Sequence, residues 1–327
     1  MAEAVQRTGT MGDIADVEGP YEVAPFGQEL RELAHAQPEI VGVTADMGRY
    51  SDIGPFREAF PDRFFNVGMA EQSAIMVGAG LAKTGKVAFV ATYAAFMTRR
   101  ALDFVAIACA HSDANVKLMG GSPGLVNPYG GTHQAIEDLA VMASIPGVTV
   151  IDPCDAVELR QAVRAAATTP GTFYIRNLRG KVSVVLDSTY EFEIGKAKLL
   201  RPGGDVGIVS TGFMTARALE AARRAERSGV NCGVLHMPTI KPFDSEGVIG
   251  LARRVGRLIT VENHLRFGGL GSRVVETLFD AGLGTMPVER IGLGDTFHAC
   301  GSQAYLEELY GLDVDTLTAA VLKLSSQ

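Results

Sequence analysis

The sequence lacks the features that mark several classes of protein. It has a net charge of −7 and no run of Lys or Arg, which argues against a nucleic-acid-binding surface. No apolar run reaches the roughly 18 residues that a membrane span requires. The N-terminus is acidic and has no apolar signal core. We therefore expect a cytoplasmic protein with neither nucleic acid nor a membrane as a partner.

Cysteine is also scarce, and its spacing excludes the usual cysteine-based sites. The four cysteines, Cys109, Cys154, Cys232 and Cys300, are far apart and form neither a CxxC pair nor a metal-binding pattern. Free, buried thiols are the expectation. We predict no metal ligand in this chain.

The remaining composition is that of a globular protein large enough for about two domains, with 327 residues of which 47% are hydrophobic. Apolar strands alternate with helical patterns in both halves of the chain. This alternation predicts an α/β fold of two consecutive doubly wound domains with mainly parallel sheets. The expected divisions are a loose tail at 1–19, a first domain at 20–190, a linker at 191–204 and a second domain at 205–327.

One stretch, FFNVGMAEQ at residues 64–72, reads as a short aromatic strand followed by the start of a helix. Glu71 lies in the first helical turn, where a carboxylate commonly complements the helix dipole. The helix that follows is apolar on nearly every side, so the sequence predicts that it is buried. Because a buried carboxylate needs a partner or a chemical task, Glu71 is a candidate functional residue.

Several blocks, occurring in order between residues 21 and 322, resemble the C-terminal half of transketolase. They are FFNVGMAEQ, GGTHQAIEDLAVMASIPGVTVIDPCDA (130–156), DVGIVSTGFMTARALEAA (205–222), MPTIKPFD (237–244) and TVENHLRFGGLGS (260–272). The resemblance implies the pyrimidine-binding domain of a thiamine diphosphate enzyme, followed by the transketolase C-terminal domain.

The Gly-Asp-Gly signature of thiamine diphosphate enzymes, which holds the diphosphate and Mg²⁺, is absent from this sequence. The chain therefore resembles the second subunit of a split transketolase. The resemblance implies thiamine diphosphate as cofactor, and Mg²⁺ or Ca²⁺ held mainly by an N-terminal partner subunit that carries the signature. Since the family forms its active sites between subunits, we expect an α2β2 heterotetramer.

The resemblance assigns roles on the pyrimidine side of the cofactor. Glu71 would hydrogen-bond N1′ of the aminopyrimidine, which favours the imino form of the 4′-amino group and so assists deprotonation of the thiazolium C2. Phe96 and Tyr93 would surround the flat ring, unless both are simply core aromatics. His133 would lie near the 4′-amino group and the substrate oxygen, or instead cap the next helix. Asp46, after a buried strand, would adjoin the cofactor's entry loop or merely cap a helix.

The substrate-phosphate end departs from the family pattern. Val23 falls near the position of a usual Arg, and Gly121-Ser122-Pro123 occupies the place of a usual His or Arg. Arg176 matches one phosphate-binding arginine of transketolases. Arg179 loosely matches an arginine of the related 1-deoxyxylulose-5-phosphate synthase.

The reduced number of cations at the substrate-phosphate end affects which charge we expect on the substrate. Arg99 and Arg100, close to the pyrimidine-side helix, are alternative sources of positive charge, and one or two arginines still bind an anion well. The partner chain is another source. Without such help, the thinned cluster favours a substrate with a single carboxylate or no charge.

The sequence therefore predicts a transferase subunit, active only with its partner, that forms carbon–carbon bonds by moving a ketol or acyl unit from a donor ketone to an acceptor aldehyde. Three alternatives stay open. They are a specialised relative in secondary metabolism that uses an unphosphorylated substrate, the beta subunit of a 2-oxo acid dehydrogenase, and a non-catalytic scaffold subunit.

Overall fold

The structure, a computed structural model, describes residues 19–327, so the greater part of the predicted N-terminal tail lies outside the described residues. Its strands are β1 (Tyr21–Val23), β2 (Ile40–Thr44), β3 (Phe64–Asn66), β4 (Val87–Tyr93), β5 (Val116–Gly121), β6 (Val148–Ile151), β7 (Thr172–Asn177), β8 (Lys181–Ser183), β9 (Lys198–Arg201), β10 (Val206–Ser210), β11 (Cys232–His236), β12 (Thr239–Lys241), β13 (Leu258–Leu265) and β14 (Val288–Leu293).

Helices follow most of these strands and cover the sheets. They are α1 (Pro25–Ala36), α2 (Gly54–Ala59), α3 (Glu71–Lys83), α4 (Ala94–Arg100), α5 (Leu102–Phe104), α6 (Asp138–Ser144), α7 (Ala156–Thr168), α8 (Met214–Glu226), α9 (Ser245–Val255), α10 (Leu270–Asp280), α11 (Gln303–Leu309) and α12 (Val314–Ser325). A π-helical segment, Val105–His111, continues from α5. Within residues 19–327, none of these helices has the length and apolar character needed to cross a membrane.

The first half of the chain forms a seven-stranded sheet in the order β12-β6-β7-β5-β4-β2-β3. All of its pairings are parallel except that of β12 with β6. The central strands β2, β4 and β5 are buried along their whole length, as expected for parallel strands covered on both faces. Strand β12 belongs to the second half of the sequence, so the two halves share one sheet.

The second half forms a five-stranded sheet in the order β14-β13-β10-β11-β9. Its strands are parallel except β9, which pairs antiparallel with β11. The predicted α/β fold with two consecutive, mainly parallel domains is confirmed. Strand β9 lies inside the segment expected to be a linker, so that segment forms an edge of the second sheet.

Strands β1 and β8 and helix α12 are among the elements that were not predicted from the sequence. Strands β1 and β8 pair antiparallel, which joins the described start of the chain to the end of the first domain. Helix α12 packs on α8, and the Asp313 side chain caps it by accepting the backbone N–H of Thr316. A strand of three residues has no readable period, and such pairing depends on contacts between distant parts of the chain.

Candidate active site

The predicted site residues follow the carboxyl ends of parallel strands in the first sheet. Asp46 comes after β2, Glu71 after β3, Phe96 after β4 and Arg179 after β7. Tyr93 is the last residue of β4. Because parallel strands end at one edge of the sheet, residues distant in sequence meet there.

Glu71 is the first residue of α3, and its carboxylate is almost completely buried, with the residue 5% exposed. The Nη1 atom of Arg100 donates to its Oε1 atom at 2.9 Å. The carboxylate therefore has both a helix N-terminus and a cation beside it.

Only one face of α3 is buried, so the prediction of a wholly buried helix is wrong for the single chain. Ala74, Ile75 and Gly78 pack inward, whereas Met76 is 48% exposed. Met69, just before the helix, is 86% exposed. The apolar composition that predicted burial therefore gives this domain an open apolar surface next to Glu71.

Aromatic rings lie close to the cation that pairs with this carboxylate, since the guanidinium carbon of Arg100 is 4.0 Å from the centroid of the Phe96 ring. The ring centroids of Tyr93 and Phe96 are 5.5 Å apart, and the ring of His133 lies 5.1 Å from Phe96 and 6.1 Å from Tyr93. Tyr93 is buried and Phe96 is partly exposed. The structure thus brings together three of the residues that the resemblance assigned to the pyrimidine side.

His133 does not cap a helix, because α6 begins five residues later, at Asp138. Its Nδ1 atom lies 2.8 Å from the hydroxyl of Thr132, and the ring of Tyr129 is 5.4 Å away. Burial, followed by the positive charge of Arg100, lowers the pKa of His133 below its ordinary value of 6.5. The imidazole is therefore neutral near pH 7 and can donate or accept one hydrogen bond.

Asp46 links the ends of two neighbouring strands and does not cap a helix. Its carboxylate accepts a hydrogen bond from the Asn66 amide at 3.0 Å, and its backbone N–H donates to the Asn66 Oδ1 atom at 2.9 Å. The residue is exposed and has a positive φ of 58°. Its proposed part in binding the cofactor stays a prediction.

Arg176, predicted as a substrate ligand, is enclosed by groups of the protein in this structure. Its guanidinium is completely buried and makes a two-pronged contact with Asp138, through Nη2 at 2.5 Å and Nε at 2.9 Å. Its Nη1 atom reaches Asp152 at 3.3 Å and the Asn263 carbonyl at 3.2 Å. All three nitrogens therefore bond groups of the protein, and the arginine ties the two domains together.

The arginines considered as alternative sources of charge are also engaged. Arg99 pairs with Glu137 and donates to the carbonyls of Gly131 and Gln134, which fixes the loop that carries His133. Arg100 pairs with Glu71. Neither guanidinium extends freely toward the substrate side in this arrangement.

Arg179 is placed differently. It is mostly buried, its Nη1 atom donates to the Tyr50 carbonyl at 3.4 Å, and its guanidinium carbon lies 5.6 Å from the Tyr50 ring and 6.0 Å from the Tyr93 ring. It therefore borders the aromatic cluster. Tyr50 was not identified from the sequence, because nothing in a lone tyrosine between β2 and α2 signals this contact.

The long loop between β5 and α6 is held in place by the second domain. The side chain of Asn263 accepts from the Leu125 backbone N–H at 3.0 Å and donates to the Pro123 carbonyl at 3.3 Å. The Gln134 amide donates to the Ala299 carbonyl at 3.1 Å. Contacts from β13 and from the segment before α11 thus fix the loop that presents His133.

The cysteines are free, as expected, and Cys109, Cys154 and Cys232 are buried. Cys300 is exposed, so the expectation of burial is wrong there. It lies in an irregular segment between β14 and α11, where no sheet covers it.

The fold and this group of residues define paired α/β domains of the transketolase type. Residues 23–183 match the family model described as "Transketolase, pyrimidine binding domain", and residues 195–317 match "Transketolase, C-terminal domain". This chain belongs to the transketolase family.

Similar curated proteins cover nearly the whole chain. An uncharacterised transketolase family protein of Sinorhizobium fredii is 45% identical over 95% of this chain and 91% of its own length. A 6-deoxy-6-sulfo-D-fructose transketolase subunit of a Clostridium species is 38% identical, over 91% and 92% respectively. One subunit of an apulose-4-phosphate transketolase of Phocaeicola vulgatus is 37% identical, over 91% and 95%.

Among solved structures, a split-gene transketolase described as an inactive beta4 tetramer is similar to this chain. It superimposes with a TM-score of 0.83 at 38% identity, covering 92% of this chain and 97% of that one. The resemblance to the second subunit of a split transketolase is thereby confirmed.

Proposed function

We propose that this chain supplies the pyrimidine-side half of the active site of a thiamine diphosphate-dependent transketolase, in which a separate subunit supplies the diphosphate-binding half. The observation that carries the proposal is the buried Glu71 carboxylate at the start of α3, which shares the Arg100 guanidinium with the Phe96 ring. A buried carboxylate needs a partner or a chemical task, and N1′ of the aminopyrimidine ring would supply one.

The residues present fit the pyrimidine end of this cofactor. Glu71 would accept the hydrogen bond at N1′, Phe96 and Tyr93 would flank the ring, and neutral His133 would lie on the substrate side. Within this chain a planar cation, the Arg100 guanidinium, already contacts both Glu71 and Phe96. The bound cofactor would supply a carbanion equivalent that makes and breaks the carbon–carbon bond.

This chain's own residues would act by placing charge and protons. Glu71, buried at the start of α3, would hold a proton at N1′ of the ring. His133 would keep its neutral form near pH 7 and could pass a proton to or from the substrate oxygen. The rings of Tyr93 and Phe96 would exclude water from the face of the aminopyrimidine that they cover.

The remaining half of the site would come from a partner chain. The sequence has no Gly-Asp-Gly signature, so the diphosphate and a Mg²⁺ or Ca²⁺ ion would be held by the N-terminal subunit. The open apolar surface at Met69 and Met76 supports an interface next to the active site. We propose an α2β2 heterotetramer acting in the cytoplasm.

The substrate that this chain's residues support carries one negative charge or none at its far end. Arg176 is bonded to two carboxylates, and Arg99 and Arg100 are each paired with a glutamate. Arg179, whose guanidinium borders the aromatic cluster, is this chain's candidate for contact with an anion. A dianionic phosphate normally gathers several cations, so it would depend on charge from the partner chain.

The test is reconstitution with the N-terminal subunit and measurement of turnover on ketose donors. Glu71→Gln keeps the shape of the side chain but weakens the hold on the N1′ proton. We expect turnover to fall about a hundredfold or more, with unchanged assembly and folding. Glu308→Gln, the same substitution at an exposed position of α11, is the matched control and should retain full activity.

The same assay decides the substrate class. We expect kcat/KM for xylulose 5-phosphate to exceed that for unphosphorylated ketoses or 2-oxo acids such as pyruvate by less than a hundredfold. A larger preference, roughly 2.7 kcal/mol of transition-state binding, would show that the assembled enzyme has a complete phosphate site.

A further inference from the structure

Arg100 makes, within this chain, the same two contacts that the proposed function gives to the aminopyrimidine ring. Its Nη1 atom donates to the Glu71 carboxylate at 2.9 Å, and its guanidinium carbon lies 4.0 Å from the centroid of the Phe96 ring. A guanidinium is flat, presents N–H donors in its plane and stacks on aromatic faces. An aminopyrimidine protonated at N1′ has the same three properties.

The aromatic neighbours of the Phe96 ring are not stacked on it. The Tyr93 ring is tilted by 52° to it, and the His133 ring makes an edge contact at 62°. The guanidinium therefore occupies the position over the Phe96 ring where a stacked heterocycle and a hydrogen bond to Glu71 could be combined.

The side chain of Arg100 can also move away from this position without disturbing the fold. Arg100 is the last residue of α4, and its side chain is 53% exposed, whereas Met97 and Thr98 of the same helix are buried and anchor the backbone. Moving the side chain into solvent would break one ion pair and one ring contact without opening the core.

We propose that Arg100 is an internal stand-in for the cofactor's pyrimidine ring, neutralising Glu71 and covering Phe96 until thiamine diphosphate displaces it. This inference rests on the proposed function, because it takes Glu71 and Phe96 as the ring's ligands. The bound ring takes over both contacts, so binding includes the cost of breaking the Arg100 contacts. The opposite arrangement, in which Arg100 stays on Glu71 and positions it for the ring, predicts the opposite effect on affinity.

The experiment measures the Kd of thiamine diphosphate, with Mg²⁺, for the co-assembled pair of subunits by isothermal titration calorimetry. Arg100→Ala removes the competitor, so we expect the Kd to fall about fivefold or more, as an exposed ion pair and a ring contact together would give. Arg100→Gln, which keeps more of the side chain, serves if the alanine variant is unstable in a thermal melt.

Arg273→Ala is the matched control. Arg273 is 44% exposed, pairs with Glu276 at 2.7 Å and lies 5.5 Å from the Phe243 ring, so it has the same kinds of contact outside the site. Its removal should leave the Kd within about twofold.

A second experiment supplies free guanidinium from solution to the Arg100→Ala variant. Guanidinium chloride at about 20 mM, compared with NaCl at equal ionic strength, should raise the Kd of the Arg100→Ala pair and leave the wild-type Kd nearly unchanged. An unchanged or higher Kd in both Arg100 variants would overturn the inference and leave the proposed function standing. If the wild-type pair binds no thiamine diphosphate, the proposed function fails and the inference fails with it.

Discussion

Replacing Arg176 with alanine should destabilise the fold before it affects any substrate. The guanidinium lies at 2% exposure between Asp138, completely buried, and Asp152, which is 4% exposed at its side chain. Burial disfavours the charged form of Asp138, but the adjacent guanidinium outweighs this and holds the pKa of that carboxyl below its ordinary value. At Asp152 burial prevails and raises the pKa to about 6.

The expected loss of stability follows from the buried groups that lose their partner when Arg176 is replaced. Without Arg176, one or both carboxylates stay buried without a counter-charge, a situation that costs about 3–5 kcal/mol in comparable proteins. The Asn263 carbonyl also loses its donor, which weakens the contact between the domains. For domains of this size the loss corresponds to a fall in Tm of roughly 10 °C.

The assay is thermal unfolding of the purified chain, followed by circular dichroism. Arg223→Ala is the control, since Arg223 pairs with Glu220 at the surface, and such pairs contribute about 0–1 kcal/mol. The double variant Asp138→Asn/Arg176→Gln should recover part of the lost stability, because it removes a charge together with its partner. The reasoning is refuted if Arg176→Ala melts within about 2 °C of the wild type while raising KM for a sugar phosphate tenfold.

Two further predictions concern stability and assembly. Burial raises the pKa of Glu262 to about 7 from an ordinary 4.5, so the folded chain holds a proton that the unfolded chain releases. The contribution of Glu262 to the free energy of unfolding should therefore fall by up to about 3 kcal/mol as the pH rises from 4.5 to 7. In urea unfolding, Glu262→Gln should abolish that part of the decline. Met76→Lys, on the open face of α3, should weaken association with the partner subunit at least tenfold, about 1.4 kcal/mol, in analytical ultracentrifugation. Leu309→Lys, at a similarly exposed position on α11, should leave association unchanged, and equal effects of the two substitutions would contradict the proposed interface.

Local pattern in the sequence determined the order of the main strands and helices. Buried parallel strands are continuous apolar runs, such as Val87–Tyr93, and their composition is visible in any short window. The position of Glu71 at a helix start was equally local, as was the absence of a Gly-Asp-Gly signature. These features need no knowledge of what lies opposite in space.

The tertiary structure alone decided which charged side chains are enclosed by carboxylates inside the protein. Arg176 and Arg179 are three residues apart and look alike in sequence, yet one is enclosed by Asp138 and Asp152 while the other borders the aromatic cluster. The partners of Arg176 lie 38 and 24 residues away, and its third contact, Asn263, lies 87 residues away in the second domain.

The pairing of Arg100 with Glu71, 29 residues apart, depends in the same way on how α4 packs against α3. The sequence alone shows which side chains carry a charge. Whether that charge is neutralised inside the protein depends on the long-range packing that selects its neighbours, and a single sequence carries no local signal of those distances.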